Sequence, residues 1–201
     1  MSRWRQPSID CLMGVDDCEG LQERLLRDGQ RKLPGLSGQS GPPLVYLNPG
    51  QVLMTNKPTI VSTVLGSCVS VTMFHAARSY GAICHGMLPD CNGRDCYDCA
   101  ERLKYVECCV MHMARHFERA GIGLMGVDVK LFGGAEVLPC GSKGRKRDSV
   151  GKQNIEAAHK ILSQLGLTPS VTDTGGTNGR KILFYTHSGD IYLKRLRRQV
   201  L

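Results

Sequence analysis

Apolar residues are unevenly spread along the chain. Residues 1–44 are mostly polar and run out through Leu36-Ser37-Gly38-Gln39-Ser40-Gly41-Pro42-Pro43-Leu44. That linker-like composition predicts a flexible N-terminal extension. From residue 45 the pattern becomes compact. Residues 45–47 and 51–54 read as short strands around the turn signal Asn48-Pro49-Gly50, and the β-branched run 59–64 reads as another. Leu65-Gly66-Ser67 interrupts it. Residues 68–73 then alternate Val69, Val71 and Met73 with polar neighbours, and 81–87 is a further strand closed by Leu88-Pro89.

Helical spacing appears twice. Over 97–120, Leu103, Val106, Val110, Met113 and Phe117 recur on one face, and Gly121 is placed to end the helix. Over 152–165, Ile155, Ala158, Leu162 and Leu165 do the same before Gly166. Residues 127–132 read as a buried strand running into Gly133-Gly134. Residues 181–186 and 191–194 read as a hairpin about Ser188-Gly189-Asp190. There is no internal repeat and no regular βαβ rhythm. The predicted class is therefore α/β: a layered, sandwich-like domain at 45–201, with a mixed β-sheet and two main helices, preceded by the extension at 1–44.

Composition narrows this only slightly. A length of 201 residues suits one domain, and 41% apolar with 22% charged residues is ordinary globular usage. The net charge of +8 admits an acidic partner without requiring one. No apolar run reaches the roughly 18 residues of a membrane span. Met1-Ser2-Arg3-Trp4-Arg5-Gln6-Pro7 leads into no apolar stretch of the secretory kind, so a cytoplasmic protein is expected, with no membrane insertion. The ten cysteines are then expected to be reduced thiols, most of them buried as small hydrophobes.

Candidate chemistry centres on Cys68, which follows a Gly66-Ser67 turn, and on His85, seventeen residues later. A cysteine after such a turn can have an exposed thiol and free backbone N–H groups beside it, which favour the thiolate and can hold an oxyanion. A histidine on an adjacent strand can take the thiol proton and later deliver it to a leaving amine. A hydroxyl or carbonyl of Ser62 could orient the imidazole. By spacing alone, among ten cysteines and six histidines, a chance pair, a buried thiol beside a core histidine, is the reading to prefer.

Six ordered motifs from residue 45 onward decide between these readings. They are Asn48-Pro49-Gly50; Leu65-Gly66-Ser67-Cys68-Val69; His85-Gly86-Met87-Leu88-Pro89; Lys130-Leu131-Phe132-Gly133-Gly134-Ala135; Gly151-Lys152-Gln153-Asn154; and Asp173-Thr174-Gly175-Gly176 with Gly179-Arg180-Lys181. In this order the chain resembles the CheD family, the chemoreceptor glutamine deamidases. The resemblance implies that Cys68 attacks a glutamine carboxamide on a methyl-accepting chemotaxis receptor, with a thioester intermediate and His85 as base and acid. It implies no cofactor and no metal. The family's third catalytic position usually holds Thr six residues before the Cys; here that residue is Ser62, with Thr63 adjacent, which leaves the orienting group open. Gly66 and Ser67 form the oxyanion turn. The pairs Gly133-Gly134 and Gly175-Gly176 are either substrate-side loops or tight structural turns. Asp173 and Arg180 are spaced to close a loop as an ion pair. The resemblance also implies receptor helices as partners, with a CheC-like phosphatase as a further one. A non-catalytic adaptor binding the same partners is the alternative.

Two rival patterns are present. Cys96-x2-Cys99-x12-His112-x3-His116 matches a two-Cys two-His zinc-finger formula, but the predicted helix over 97–120 would hold the cysteines about 20 Å from the histidines. The basic runs Lys143, Arg145, Lys146, Arg147 and Lys194, Arg195, Arg197, Arg198 lack the interleaved aromatics of a nucleic-acid surface, so no nucleic-acid partner is expected.

Overall fold

The computed structural model describes residues 41–91, 101–136 and 149–196. The extension expected at 1–44 lies almost wholly outside the described residues, as do Cys96 and Cys99, the first basic run, and Arg197 and Arg198. Among the described residues, nine strands and two α-helices follow in the order β1 (Leu44–Tyr46), β2 (Val52–Thr55), β3 (Ile60–Leu65), β4 (Val69–His75), β5 (Tyr80–Cys84), α1 (Val106–Arg119), β6 (Val127–Gly133), α2 (Val150–Gln164), β7 (Val171–Thr174), β8 (Arg180–Tyr185) and β9 (Ile191–Arg195).

The strands form two mixed sheets. One has the order β1-β3-β8-β9 and the other β2-β5-β4-β6-β7; the pairs β1/β3 and β6/β7 are parallel and the rest antiparallel. Alternation along β4 shows how the layers stack. Val69, Val71 and Met73 point to a core shared with Val110, Met113 and Phe117 of α1 and Ala158, Ile161 and Leu162 of α2. Leu53, Ile83 and Phe132 point the other way and pack with Val61, Leu65, Ile182 and Phe184 of the four-stranded sheet. The five-stranded sheet is thus buried on both faces, between the helices and the second sheet. No helix among the described residues is long and apolar enough to cross a membrane.

The layered α/β class expected from the sequence is the one observed, with two mixed sheets. Two elements and the sheet division differ from expectation. The first helix starts at Val106, because the Leu88–Tyr105 bridge holds Tyr105 extended and Arg102–Lys104 forms a 3₁₀ turn. β7 was not foreseen: its short, polar Val171-Thr172-Asp173-Thr174 run pairs at a sheet edge and is largely solvent-facing. The two sheets also divide what reads locally as one set of strands. Both helices end as their glycines predict. Gly121 and Gly166 take left-handed φ of 68° and 70°, and the Ile122 and Leu167 N–H groups reach back to the Phe117 and Leu162 carbonyls at 2.9 Å.

Candidate active site

His85 and Thr63 meet between the two sheets, and Cys68 packs against the core that the sheets share. Val69 and Gly86 exchange backbone hydrogen bonds at 2.9 Å, extending the β4–β5 ladder past Cys84. The register running from Thr72↔Ile83 to Val69↔Gly86 sets His85 opposite Ser70 and leaves Cys68 diagonal to it on the same face. The backbone of His85 is fixed from its other side by the Asn48-Pro49-Gly50 turn. Its carbonyl accepts from Gly50 N–H at 2.8 Å, and its N–H donates to the Gln51 carbonyl at 2.9 Å.

The imidazole is oriented by Thr63. Thr63 Oγ1 donates to the Leu47 carbonyl at 2.8 Å, which commits the hydroxyl proton. The same oxygen lies 2.8 Å from His85 Nδ1 and can only accept there, so Nδ1 carries the proton and Nε2 carries the lone pair. His85 Nε2 is buried and has no hydrogen-bond partner among the described residues. Burial pulls the His85 pKa below the usual histidine value, while the Leu47 carbonyl pushes it back up. The ring is therefore a neutral base at neutral pH.

Ser62 lies on the other side of its strand from the imidazole. Ser62 sits in the cross-strand row Tyr46–Ser62–Leu183–Tyr192, on the outer face of the four-stranded sheet, where Tyr46 and Tyr192 are 50% and 62% exposed. Its side chain points away from His85, and its carbonyl accepts Leu47 N–H at 2.9 Å. Thr63, one residue on, points inward.

Cys68 is a free, half-buried thiol. Burial raises its pKa above the ordinary thiol value, and the Cys68 backbone partly offsets this by lowering it. The resting pair is thus thiol and neutral imidazole. Around it the Gly66-Ser67-Cys68 carbonyls are all occupied. Gly66 O accepts Ala135 N–H and Cys68 O accepts Gly134 N–H, both at 2.8 Å, and Ser67 O accepts Asn154 Nδ2 at 2.9 Å. The Ser67 and Cys68 N–H groups have no acceptor among the described residues.

The two glycine pairs divide. Gly133 has φ 108°, and a Cβ there would lie 2.2 Å from Cys68 O; one on Gly134 would meet Ile155 at 2.5 Å. Gly175 and Gly176 have left-handed φ near 70° and open space around them, so theirs is a turn. Asp173 bonds Arg180 Nε and Arg195 Nη2, each at 2.7 Å, closing that turn against the last hairpin.

Sequence reasoning missed two buried polar residues. Ser70 lies opposite His85 with a hydroxyl that has no partner among the described residues; alternation in 68–73 placed it only as a polar neighbour. Asn154 was quoted within a motif but given no task. Of the zinc-finger histidines, His116 is occupied differently, its Nε2 bonded to the Tyr80 hydroxyl at 2.7 Å. Cys68, Cys84 and Cys109 are free thiols, whereas Cys91 is disulfide-bonded, so reduced thiols are not found throughout. Two clefts of about 230 and 200 Å³ lie elsewhere, one lined by Asp90, Glu107 and Lys160 and the other by Thr174 and Arg195.

Comparison with known proteins gives a consistent family. A family model described as CheD chemotactic sensory transduction matches residues 87–195. The chain is 44% identical over 156 residues to a Geobacter sulfurreducens protein named "Probable chemoreceptor glutamine deamidase CheD 2", covering 78% of this chain and 92% of that protein. It is 40% identical over 166 residues to a Maridesulfovibrio salexigens protein named "Probable chemoreceptor glutamine deamidase CheD", covering 78% and 94%. Among solved structures, the hypothetical protein YfiH of Bacillus licheniformis is a remote likeness, with a TM-score of 0.43 and 12% identity over 70% of this chain and 62% of that one. With the family model matching more than half of its length and relatives matching across most of theirs, the chain belongs to the CheD family.

Proposed function

We propose that the protein deamidates glutamine side chains of methyl-accepting chemotaxis receptors, with Cys68 as nucleophile. The observation that carries this reading is the chain Leu47 O–Thr63 Oγ1–His85 Nδ1. It leaves Nε2 as a free base on the same face as a half-buried thiol.

His85 Nε2 takes the Cys68 proton as sulfur attacks the carboxamide carbon. A C–S bond forms, and the negative charge moves to oxygen. The unoccupied Ser67 and Cys68 N–H groups stabilise that oxyanion, an interaction worth about 10²–10³ in rate per donor in comparable sites. The imidazolium gives its proton to nitrogen, the C–N bond breaks, and ammonia leaves a thioester. Water then attacks, again passing a proton to Nε2. The C–S bond breaks, the thiol recovers the proton, and the side chain is now glutamate. Atoms balance as glutamine plus water giving glutamate plus ammonia, and every proton moves through one nitrogen. Only the thiol, the imidazole and backbone donors are used.

In this reading residues 45–201 are the catalytic unit and 1–44 an extension. The receptor helices are met in the cytoplasm, a CheC-like phosphatase is a further partner, and the +8 net charge favours acidic receptor surfaces. The test is ammonia release from a purified receptor cytoplasmic fragment. The wild-type chain releases it, Cys68→Ala does not, and His85→Ala is slower by at least about 10²-fold. Release by Cys68→Ala at the wild-type rate refutes the nucleophile.

A further inference from the structure

The β4–β5 ladder breaks where the two candidate catalytic side chains lie. After the reciprocal bonds between Val69 and Gly86, an ideal antiparallel ladder would next join Ser67 to Leu88. It does not. The Leu88 N–H donates to the Lys104 carbonyl at 3.0 Å, and Leu88 pairs with Tyr105, so the strand after His85 veers toward the start of α1. The Gly66–Cys68 loop veers the other way, held by the N–H groups of Ala135 and Gly134. The diverging strands leave facing carbonyls with no cross-strand donor.

The Asn154 carboxamide stands in that fork. Its Nδ2 donates to Ser67 O and to Met87 O, each at 2.9 Å, from a fully buried position on α2. Two carbonyl acceptors at hydrogen-bond distance also settle which end of the amide is nitrogen. Ser67 precedes the thiol residue, and Met87 lies two residues past the imidazole. One side chain therefore ties together the two backbone segments that carry the chemistry. It has a second effect. The Ser67–Cys68 peptide is trans, so a carbonyl held toward Asn154 directs the Cys68 N–H the opposite way.

We propose that Asn154 is the positioning residue of the Cys68–His85 pair, its carboxamide replacing the missing rung of the β4–β5 ladder and aiming the Cys68 N–H. The catalytic meaning of this role rests on the proposed deamidation; the geometry it fixes does not. Asn suits the place because it brings two donors on one nitrogen and no charge. Asp would set a carboxylate against two carbonyl oxygens, and Ser could satisfy one of them only.

The test uses the full chain carrying Asn154→Asp or Asn154→Ser, each checked for a cooperative melt, with His85→Ala as reference. The first readout needs no receptor: the pH dependence of Cys68 alkylation by iodoacetamide. Asn154→Asp is expected to slow alkylation at neutral pH at least tenfold and to follow the His85→Ala profile, with Asn154→Ser between it and wild type. The second readout is deamidation of a receptor fragment, in which kcat falls at least thirtyfold in Asn154→Asp while KM stays within threefold. A folded Asn154→Asp or Asn154→Ser with the wild-type alkylation profile and wild-type kcat overturns the proposal. If wild type deamidates no receptor fragment and Asn154→Asp still loses His85-assisted alkylation, the positioning role stands and the deamidase reading falls.

Discussion

Thr63 uses one oxygen for two bonds, donating to Leu47 O and accepting from His85 Nδ1–H. Thr63→Val keeps the shape and removes both. It frees the imidazole to rotate or to change tautomer and leaves a buried N–H unpaired, at a cost of about 1–3 kcal/mol. The expected result is a fall in kcat of roughly 10²-fold. Thr63→Ser should recover most of it, and Ser62→Ala should stay close to wild type; steady-state kinetics on a receptor fragment separates the three. Cys68 and His85 were legible as candidates because a thiol after Gly-Ser and a histidine before Gly are distinctive words. The choice between Ser62 and Thr63 was not. Both carry hydroxyls, and only the phase of β3 relative to the second sheet decides which of them faces inward. Ser70 and Asn154 were hidden for a related reason, since a polar residue in an apolar pattern reads as solvent-facing until a partner for it is seen.

At the scale of elements, the site depends on the close approach of β6 to the Cys68 backbone and of the α2 side chain Ile155 to Gly134. Gly133→Ala would drive a methyl to 2.2 Å from Cys68 O at φ 108°, so the β4–β6 pairing or the thiol loop must shift. Gly176→Ala meets no atom within 4 Å and costs only the left-handed backbone preference, about 1 kcal/mol. Chemical denaturation should show Gly133→Ala less stable than Gly176→Ala by at least about 2 kcal/mol, with Cys68 alkylation altered only in the former. Equal costs would contradict the approach at Gly133. Among the described residues, periodicity placed both helices and eight of the nine strands, because an apolar stripe or a β-branched run is a local property. It misplaced the start of the first helix, which is set by the Leu88–Tyr105 bridge, a contact with a distant strand. It also missed β7, whose pairing with β6 leaves most of its side chains in solvent.

For the whole molecule, buried neutral histidines tie stability to pH. His112 is held down to about 4 from 6.5, first by burial and then by Arg102, His116, Arg119 and Arg115. Its folded-state value is depressed, so in this range the unfolded chain binds more protons than the folded one. Stability is complete above pH 6.5 and is lost as pH falls toward about 4. Part of the ring meets solvent, which reduces the expected loss to about 1–2 kcal/mol. Thermal melts between pH 7 and 4 should show this decline, and His112→Gln should flatten it; an unchanged slope would mean that another group carries it. The two-sheet arrangement was legible only as a layered class, because the division of strands between sheets depends on pairings such as Thr63 with Ile182 that lie far apart in sequence.

The most direct test of the deamidation itself is peptide mass spectrometry of a receptor cytoplasmic fragment incubated with the protein in ¹⁸O-water, beside Cys68→Ala and His85→Ala. Wild type is expected to convert specific glutamines to glutamates that carry one ¹⁸O, with an acyl adduct trapped on Cys68 when the reaction is quenched in acid. Unchanged glutamines on cognate receptors, with Cys68 intact and reactive, would contradict the account.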